Sequence, residues 1–351
     1  MLEGVRSAFW SPGVWLPEGV SWEQFNNSAS PNGVRYPQSR DMLYPILLGG
    51  ALLLFRLLLE CFAFLPFAYY SGLFPKFVPA DKTLPQILWT HLTGGFSRQT
   101  RIKKCLETAF RCWFYSSSFF YGLYILKDKS WLWDIKDCWA GYPHHHISDD
   151  VWWYYMFEAG YYWSLMISSL TDTRRKDFRM LMVHHALTSS LLFISWSINF
   201  VRVGTLVLLS HDVSDVLLEL GKVIRYSELP PIYVNVVFVF FMAAWLATRL
   251  GYFPFVLLQS TLTDAPRLVQ RSYRWENLGQ RPHVPRLVLA MLLALQLLHL
   301  VWTYSILKIA VLTASRGEAE DVRSDSEEED DDDGVEDERI EYELHQDKKF
   351  L

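Results

Sequence analysis

Residues 180–200, MLMVHHALTSSLLFISWSINF, and residues 203–220, VGTLVLLSHDVSDVLLEL, decide how this chain is read. Each stretch is long enough to cross a bilayer core at a helical rise of about 1.5 Å per residue. Each also carries groups that a lipid-facing helix excludes: His184 and His185 in the first, and His211, Asp212, Asp215 and Glu219 in the second. An ionisable side chain inside a membrane costs about 2.5 to 3.5 kcal/mol on insertion scales, so such groups face a partner, a cavity or a reaction.

The rest of the chain supplies the membrane context. It has 351 residues, 51% of them hydrophobic and 16% aromatic, gathered into bilayer-length blocks. Five more blocks, at 43–65, 109–126, 151–170, 232–253 and 287–312, bring the expected count to seven transmembrane helices, so the sequence predicts an all-α polytopic membrane protein. The segment 66–108 carries Lys76, Lys82, Arg98, Arg101, Lys103 and Lys104, and Arg174, Arg175, Lys176 and Arg179 follow the third block. The positive-inside rule makes both cytosolic, which places the N-terminal segment 1–42 in the lumen and the C-terminus in the cytosol. The arginine-rich stretch 257–286 goes against this scheme. Residues 318–351 hold 17 acidic and 4 basic residues, a net −13, against −5 for the whole chain. Like charges repel, so residues 313–351 are expected to be a disordered acidic tail.

Smaller features have plainer readings. Arg56 and Glu60 stand at i,i+4 in the first block, where they neutralise one another. The aromatics between Trp152 and Trp163 read as an interfacial belt and packing surface. His144, His145 and His146 lack helical ligand spacing and read as a solvated loop, and no Cys-x-x-Cys pair or disulfide framework is indicated. Asn26 opens a glycosylation sequon, Ser324 and Ser326 precede acidic residues as acidophilic-kinase sites do, and Lys348 and Lys349 form a dilysine retrieval pattern pointing to the endoplasmic reticulum.

The two opening stretches are joined by a short connection and form an antiparallel hairpin that places His184 and Asp215 at matching depth, close enough for direct approach. A histidine beside a carboxylate can act as general base or nucleophile, because the carboxylate fixes its tautomer and stabilises the imidazolium. Polar helix contacts alone would explain one such pair, but three histidines and three carboxylates within 36 residues favour a reaction site. The spacings His-x-x-His-His and His-x-x-x-His are absent, which argues against the di-iron boxes of a desaturase or the histidine box of a fatty-acid elongase, and leaves other metal sites open.

Asp172-Thr173-Arg174-Arg175-Lys176-Asp177-Phe178, His184-His185, Thr188, Ser195, Arg202-Val203-Gly204, Leu206, His211-Asp212, Asp215, Leu218-Glu219 and Lys222 together resemble the signature motif of ceramide synthases, a TLC-domain family. A wider resemblance runs from about Trp113 to Leu312, including Lys129-Ser130-Trp131 and Gly141-Tyr142-Pro143. The resemblance implies a TLC catalytic domain at 109–312, with six helices around a lipid tunnel open to the cytosol. It implies acyl transfer from a fatty acyl-CoA co-substrate to the amine of a sphingoid base in the endoplasmic reticulum membrane, with no cofactor. By position, His184 and His185 match the paired catalytic histidines, and Asp212 and Asp215 the acidic pair. His211, Glu219, Arg174, Arg175, Lys176 and Trp163 are the substrate-binding candidates. Membrane lipid and homo- or hetero-oligomers complete the expected partners. The cytosolic linker 66–108 is too short for the homeobox-like region of many animal members, so no nucleic-acid binding is expected. The alternative is a non-catalytic TLC protein that binds or senses lipid.

Overall fold

The structure, a computed structural model, describes residues 2–27, 35–98, 100–172 and 177–316. The tail sites Ser324, Ser326, Lys348 and Lys349 lie outside the described residues, as do Arg174, Arg175 and Lys176. The described part consists of helices and their connecting loops and contains no strand. Seven described helices of 20 residues or more stand where the sequence places its spans: Ser39–Ser71, Arg101–Leu126, Asp149–Ser168, Phe178–Ser197, Val201–Tyr226, Pro231–Val269 and Val284–Arg316. They are called the first to seventh helices below. Three of them, the first, sixth and seventh, are both long and apolar enough to cross a membrane by length and composition. The other four have 20 to 26 residues, about 30 to 39 Å, but carry the polar groups that face inward.

Helices two to seven form a closed ring in the order two, three, four, seven, six, five, with the first helix packed outside against the third. Glycine permits that outer contact: a Cβ at Gly160 would come within 2.9 Å of Leu48 Cβ, and one at Gly49 within 2.9 Å of the Gly160 carbonyl. The fourth and fifth helices are joined by a tight turn in which Asn199 has φ 60°. Asn tolerates that left-handed backbone, and its Nδ2 holds the carbonyls of Pro143 and His145 at 3.0 Å each. Beyond this turn the fourth and fifth helices diverge across the ring. They are neighbours in sequence but not along their length.

One end of the ring gathers the N-terminal segment, residues 127–148, the Asn199 turn and residues 270–283. Val14 accepts from the His283 amide at 2.9 Å, and Trp139 Nε1 donates to Ser260 at 2.9 Å. The N-terminal segment is ordered here by a cluster of Trp10, Trp15 and Trp22 packed on Phe193, a cap with no periodic signal in the sequence. Asn26 is exposed at this end. The arginine-rich stretch also gains an explanation, because the Arg286 guanidinium donates to the carbonyls of Arg274, Trp275, Asn277, Gln280 and Pro282 and lies 4.6 Å over Tyr273. That charge folds the loop.

The histidine triplet corrects the solvated-loop reading. His144 and His146 are exposed, but His145 is buried, and its Nε2–H donates to the Ala140 carbonyl at 2.8 Å. Burial pushes its pKa down from the usual 6.5 to about 4. Protonation therefore favours the open loop: the stabilisation is complete above pH 6.5 and is lost as pH falls toward 4, on the order of 3 kcal/mol. Amide exchange across residues 139–148 should accelerate over that interval, and His145→Gln should flatten the dependence.

Candidate active site

The ring surrounds a polar chamber of about 170 Å³ to which every one of its six helices contributes: Arg111 and Tyr115, Tyr162 and Leu165, His184 and His185, Asp215 and Glu219, Trp245 and Arg249, and His299 and Trp302. Asp172, Asp177 and Lys222 line it toward the C-terminal end of the fifth helix. Tyr162 and His211 also line a second, apolar chamber of about 90 Å³, whose walls run past Leu191, Leu208 and Leu295 to Trp139, Tyr273 and Trp275 at the opposite end. The two spaces, one polar and one apolar, share Tyr162 and His211 as a common wall.

His184 and His185 are consecutive on the fourth helix and both line the polar chamber. The His184 ring meets Trp302 edge-on at 5.3 Å, and both histidines contact Tyr162, at 6.3 and 6.1 Å. Neither Nδ1 has a hydrogen-bond partner among the described residues. Each ring therefore has one nitrogen that no described protein group occupies.

His211 is different. Its Nδ1 lies 2.6 Å from the Val207 carbonyl, which can only accept, so Nδ1 carries the proton and Nε2 is an acceptor. His299 on the seventh helix then donates its Nε2–H to that acceptor at 3.1 Å. The pair sits where the two chambers join.

The acidic residues separate. Asp215 lines the chamber, but its partner is Arg249 at 3.4 Å rather than His184, because the ring sets the sixth helix beside the fifth and the seventh beside the fourth. Asp212, one residue from His211, is turned about 100° away. It lies outside the chamber lining, 2% exposed beside the Glu158 carboxyl, which also receives the Ser118 hydroxyl. Glu219 lines the chamber and bonds Lys222 at 2.7 Å, with Arg111 at 3.8 Å. Trp163 faces a separate lateral cavity, lined also by Phe9, Met42 and Ser189. The tyrosines of the third helix are interior rather than a belt: Tyr154, Tyr155 and Tyr161 are buried.

Several residues of the quoted signature hold the scaffold. Ser195 bonds the Tyr155 hydroxyl, a Cβ at Gly204 would strike that same hydroxyl at 2.8 Å, and Arg202 donates to the Asp137 carbonyl at 2.6 Å. Arg56 and Glu60 do pair, at 2.7 Å, within a larger buried network through Asp172, Glu107 and His91. No group of three or more metal-ligating side chains occurs among the described residues. The sequence reading missed Glu158, Arg249, His299 and Arg111. Each is an ionisable residue within an apolar helix, the same signal that marked His184.

A ring of six helices around a polar and an apolar chamber, with paired histidines in the polar one, is the architecture of a polytopic membrane protein. The TLC domain family matches residues 104–308. Ceramide synthase hyl-1 of Caenorhabditis elegans is 44% identical over 322 residues, covering 91% of this chain and 84% of that one. Ceramide synthase hyl-2 of the same animal is 36% identical, covering 90% and 92%. Human ceramide synthase 5 is 35% identical over 359 residues, covering 92% and 88%. The chain belongs to the ceramide synthase family of TLC-domain proteins.

Proposed function

We propose that this membrane acyltransferase moves a fatty acyl group from acyl-CoA to the amine of a sphingoid base, forming ceramide or dihydroceramide without a cofactor. The observation that carries this reading is the meeting of a polar chamber holding two histidines with free ring nitrogens and an apolar chamber behind Tyr162 and His211. The thioester sits at the histidines and the acyl chain extends into the apolar space, each buried methylene contributing about 0.8 kcal/mol.

A sphingoid amine, like a lysine, is mostly protonated at neutral pH. A histidine removes its proton, and the nitrogen attacks the thioester carbonyl carbon. The C–S bond then breaks and coenzyme A leaves as the thiol, taking a proton. Alternatively, a histidine nitrogen attacks first and coenzyme A leaves as the thiol, and the amine then attacks the acyl-imidazole carbonyl and the histidine nitrogen leaves. Arg174, Arg175, Lys176 and Lys222 supply cations for the phosphates of coenzyme A. In this reading the N-terminal end of the ring is lumenal and the opposite end cytosolic, residues 313–351 form the cytosolic tail, and Lys348 and Lys349 retain the protein in the endoplasmic reticulum.

Membranes containing the full chain, given labelled acyl-CoA and sphinganine, should form labelled ceramide. Failure to do so would favour a lipid-binding role. Asn26 should carry N-linked glycan, read as an endoglycosidase-sensitive mass shift lost in Asn26→Gln. An unshifted chain, even after Asn26 is spaced further from the membrane, would reverse the topology.

A further inference from the structure

Arg249 is a guanidinium at mid-helix in the sixth helix, 3% exposed, with ring helices on either side of it. The helix is wound in π form from Leu246 to Leu258, with Pro254 inside it. Such winding is rare and frequently marks functional sites. Two of its nitrogens are fixed: Nη1 donates to the Ser210 carbonyl and Nη2 to the His211 carbonyl, both at 3.1 Å. Asp215 stands 3.4 Å from Nη2, and the guanidinium lies 5.1 Å over Trp245. Nε is buried and has no partner among the described residues. Arg249 lines the polar chamber together with His184. The other arginine of the chamber, Arg111, is shared between Glu107 at 3.2 Å and Glu219 at 3.8 Å. Arg249 faces one carboxylate, at a long distance, and so keeps more of its field for a ligand.

We propose that Arg249 is a catalytic residue that binds the oxyanion formed at the thioester carbonyl, and that Asp215 is the positioning residue that aims it. This rests on the acyl-transfer reading above. When a nitrogen attacks the carbonyl carbon, the C=O π pair moves onto oxygen. When the C–S bond breaks, that pair returns to re-form the carbonyl and the C–S pair leaves on sulfur. Both routes, by direct amine attack and through an acyl-imidazole, pass through this oxyanion. A buried guanidinium, fixed before the reaction and holding a free N–H, stabilises it without reorganising. The signature aspartate then acts through the sixth helix and not on a histidine.

The test uses the full chain in membranes, reading both coenzyme A thiol release and ceramide, for Arg249→Met, Arg249→Lys, Asp215→Asn and the Arg249→Met/Asp215→Asn double variant. Arg249→Met should lower kcat by about a hundredfold or more, the scale of losing one oxyanion donor, with KM for acyl-CoA changed less than about threefold. Arg249→Lys should retain part of the loss-sensitive rate. The double variant removes both members of the buried pair, so it restores charge balance and folding. It should be as slow as Arg249→Met and no slower, because Asp215 works through Arg249. Recovery of the double variant to within about tenfold of the unmodified chain would show Arg249 to be only a charge partner and overturn the proposal. So would a raised KM at unchanged kcat. Thiol release without ceramide in the unmodified chain would instead count against the sphingoid acceptor, and the Arg249 effect would still be read on thiol release.

Discussion

A chain carrying alanine at both 184 and 185 should make no ceramide above background, and each single replacement should lower turnover by at least about a hundredfold, the usual scale of acid–base catalysis. The two rings are consecutive on one helix, both line the polar chamber, and both have an Nδ1 without a partner among the described residues. Neither is fastened into the scaffold as His145 and His211 are, so their removal leaves the ring's hydrogen bonds intact and expression in membranes should persist. The measurement is ceramide formation normalised to verified protein, and near-normal turnover in the double variant would end the assignment of this chamber. If His184 is a nucleophile, incubation with acyl-CoA alone should add the mass of one acyl group, absent from His184→Ala. If it is a base, no adduct forms and the turnover loss remains.

The helices were legible because seven blocks of apolar residues match bilayer thickness, and the first block needed only its polar pair explained. The histidines were legible because charge is expensive in such a block. What the sequence conceals is which face each helix presents. The hairpin reading brought His184 to Asp215 because their helices are consecutive, yet ring closure sets the seventh helix beside the fourth and the sixth beside the fifth. Asp215 consequently meets Arg249, and His184 meets Trp302. Arg249, His299 and Glu158 obeyed the same rule that exposed His184. Each lies in the apolar middle of its helix, away from the charges near the ends, and only packing shows that they converge. His145 is a smaller case: three identical residues in a row take alternating environments fixed by a turn no local pattern specifies.

Arg56→Met should leave little folded protein. The Arg56 side chain bonds Glu60 at 2.7 Å, grips Asp172 through two nitrogens at 3.2 and 3.0 Å, and lies 3.5 Å from Glu107. Glu60 and Glu107 are also buried, at 2% and 0% exposed. Glu107 keeps Lys103 and Arg111 and Glu60 keeps His91, so removing Arg56 takes the main cation from Asp172 and one of two partners from Glu60, and breaking a buried pair this way costs about 3 to 5 kcal/mol. That is a large part of a total stability of roughly 5 to 15 kcal/mol. Lysine cannot reproduce the two-nitrogen grip, so Arg56→Lys should recover only part of the yield. Neutralising the stranded partners, in Arg56→Met with Glu60→Gln and Asp172→Asn, should recover more, since uncharged side chains carry no such desolvation cost. Gel filtration of fluorescently tagged protein before and after heating reads all three. A normal yield and heat resistance for Arg56→Met alone would show the network to be solvated. Asp172 also anchors the start of the segment holding Arg174, Arg175 and Lys176, so the rescued variant separates two roles. Restored folding with a raised KM for acyl-CoA would place those cations under the control of Arg56, a residue of the helix outside the ring.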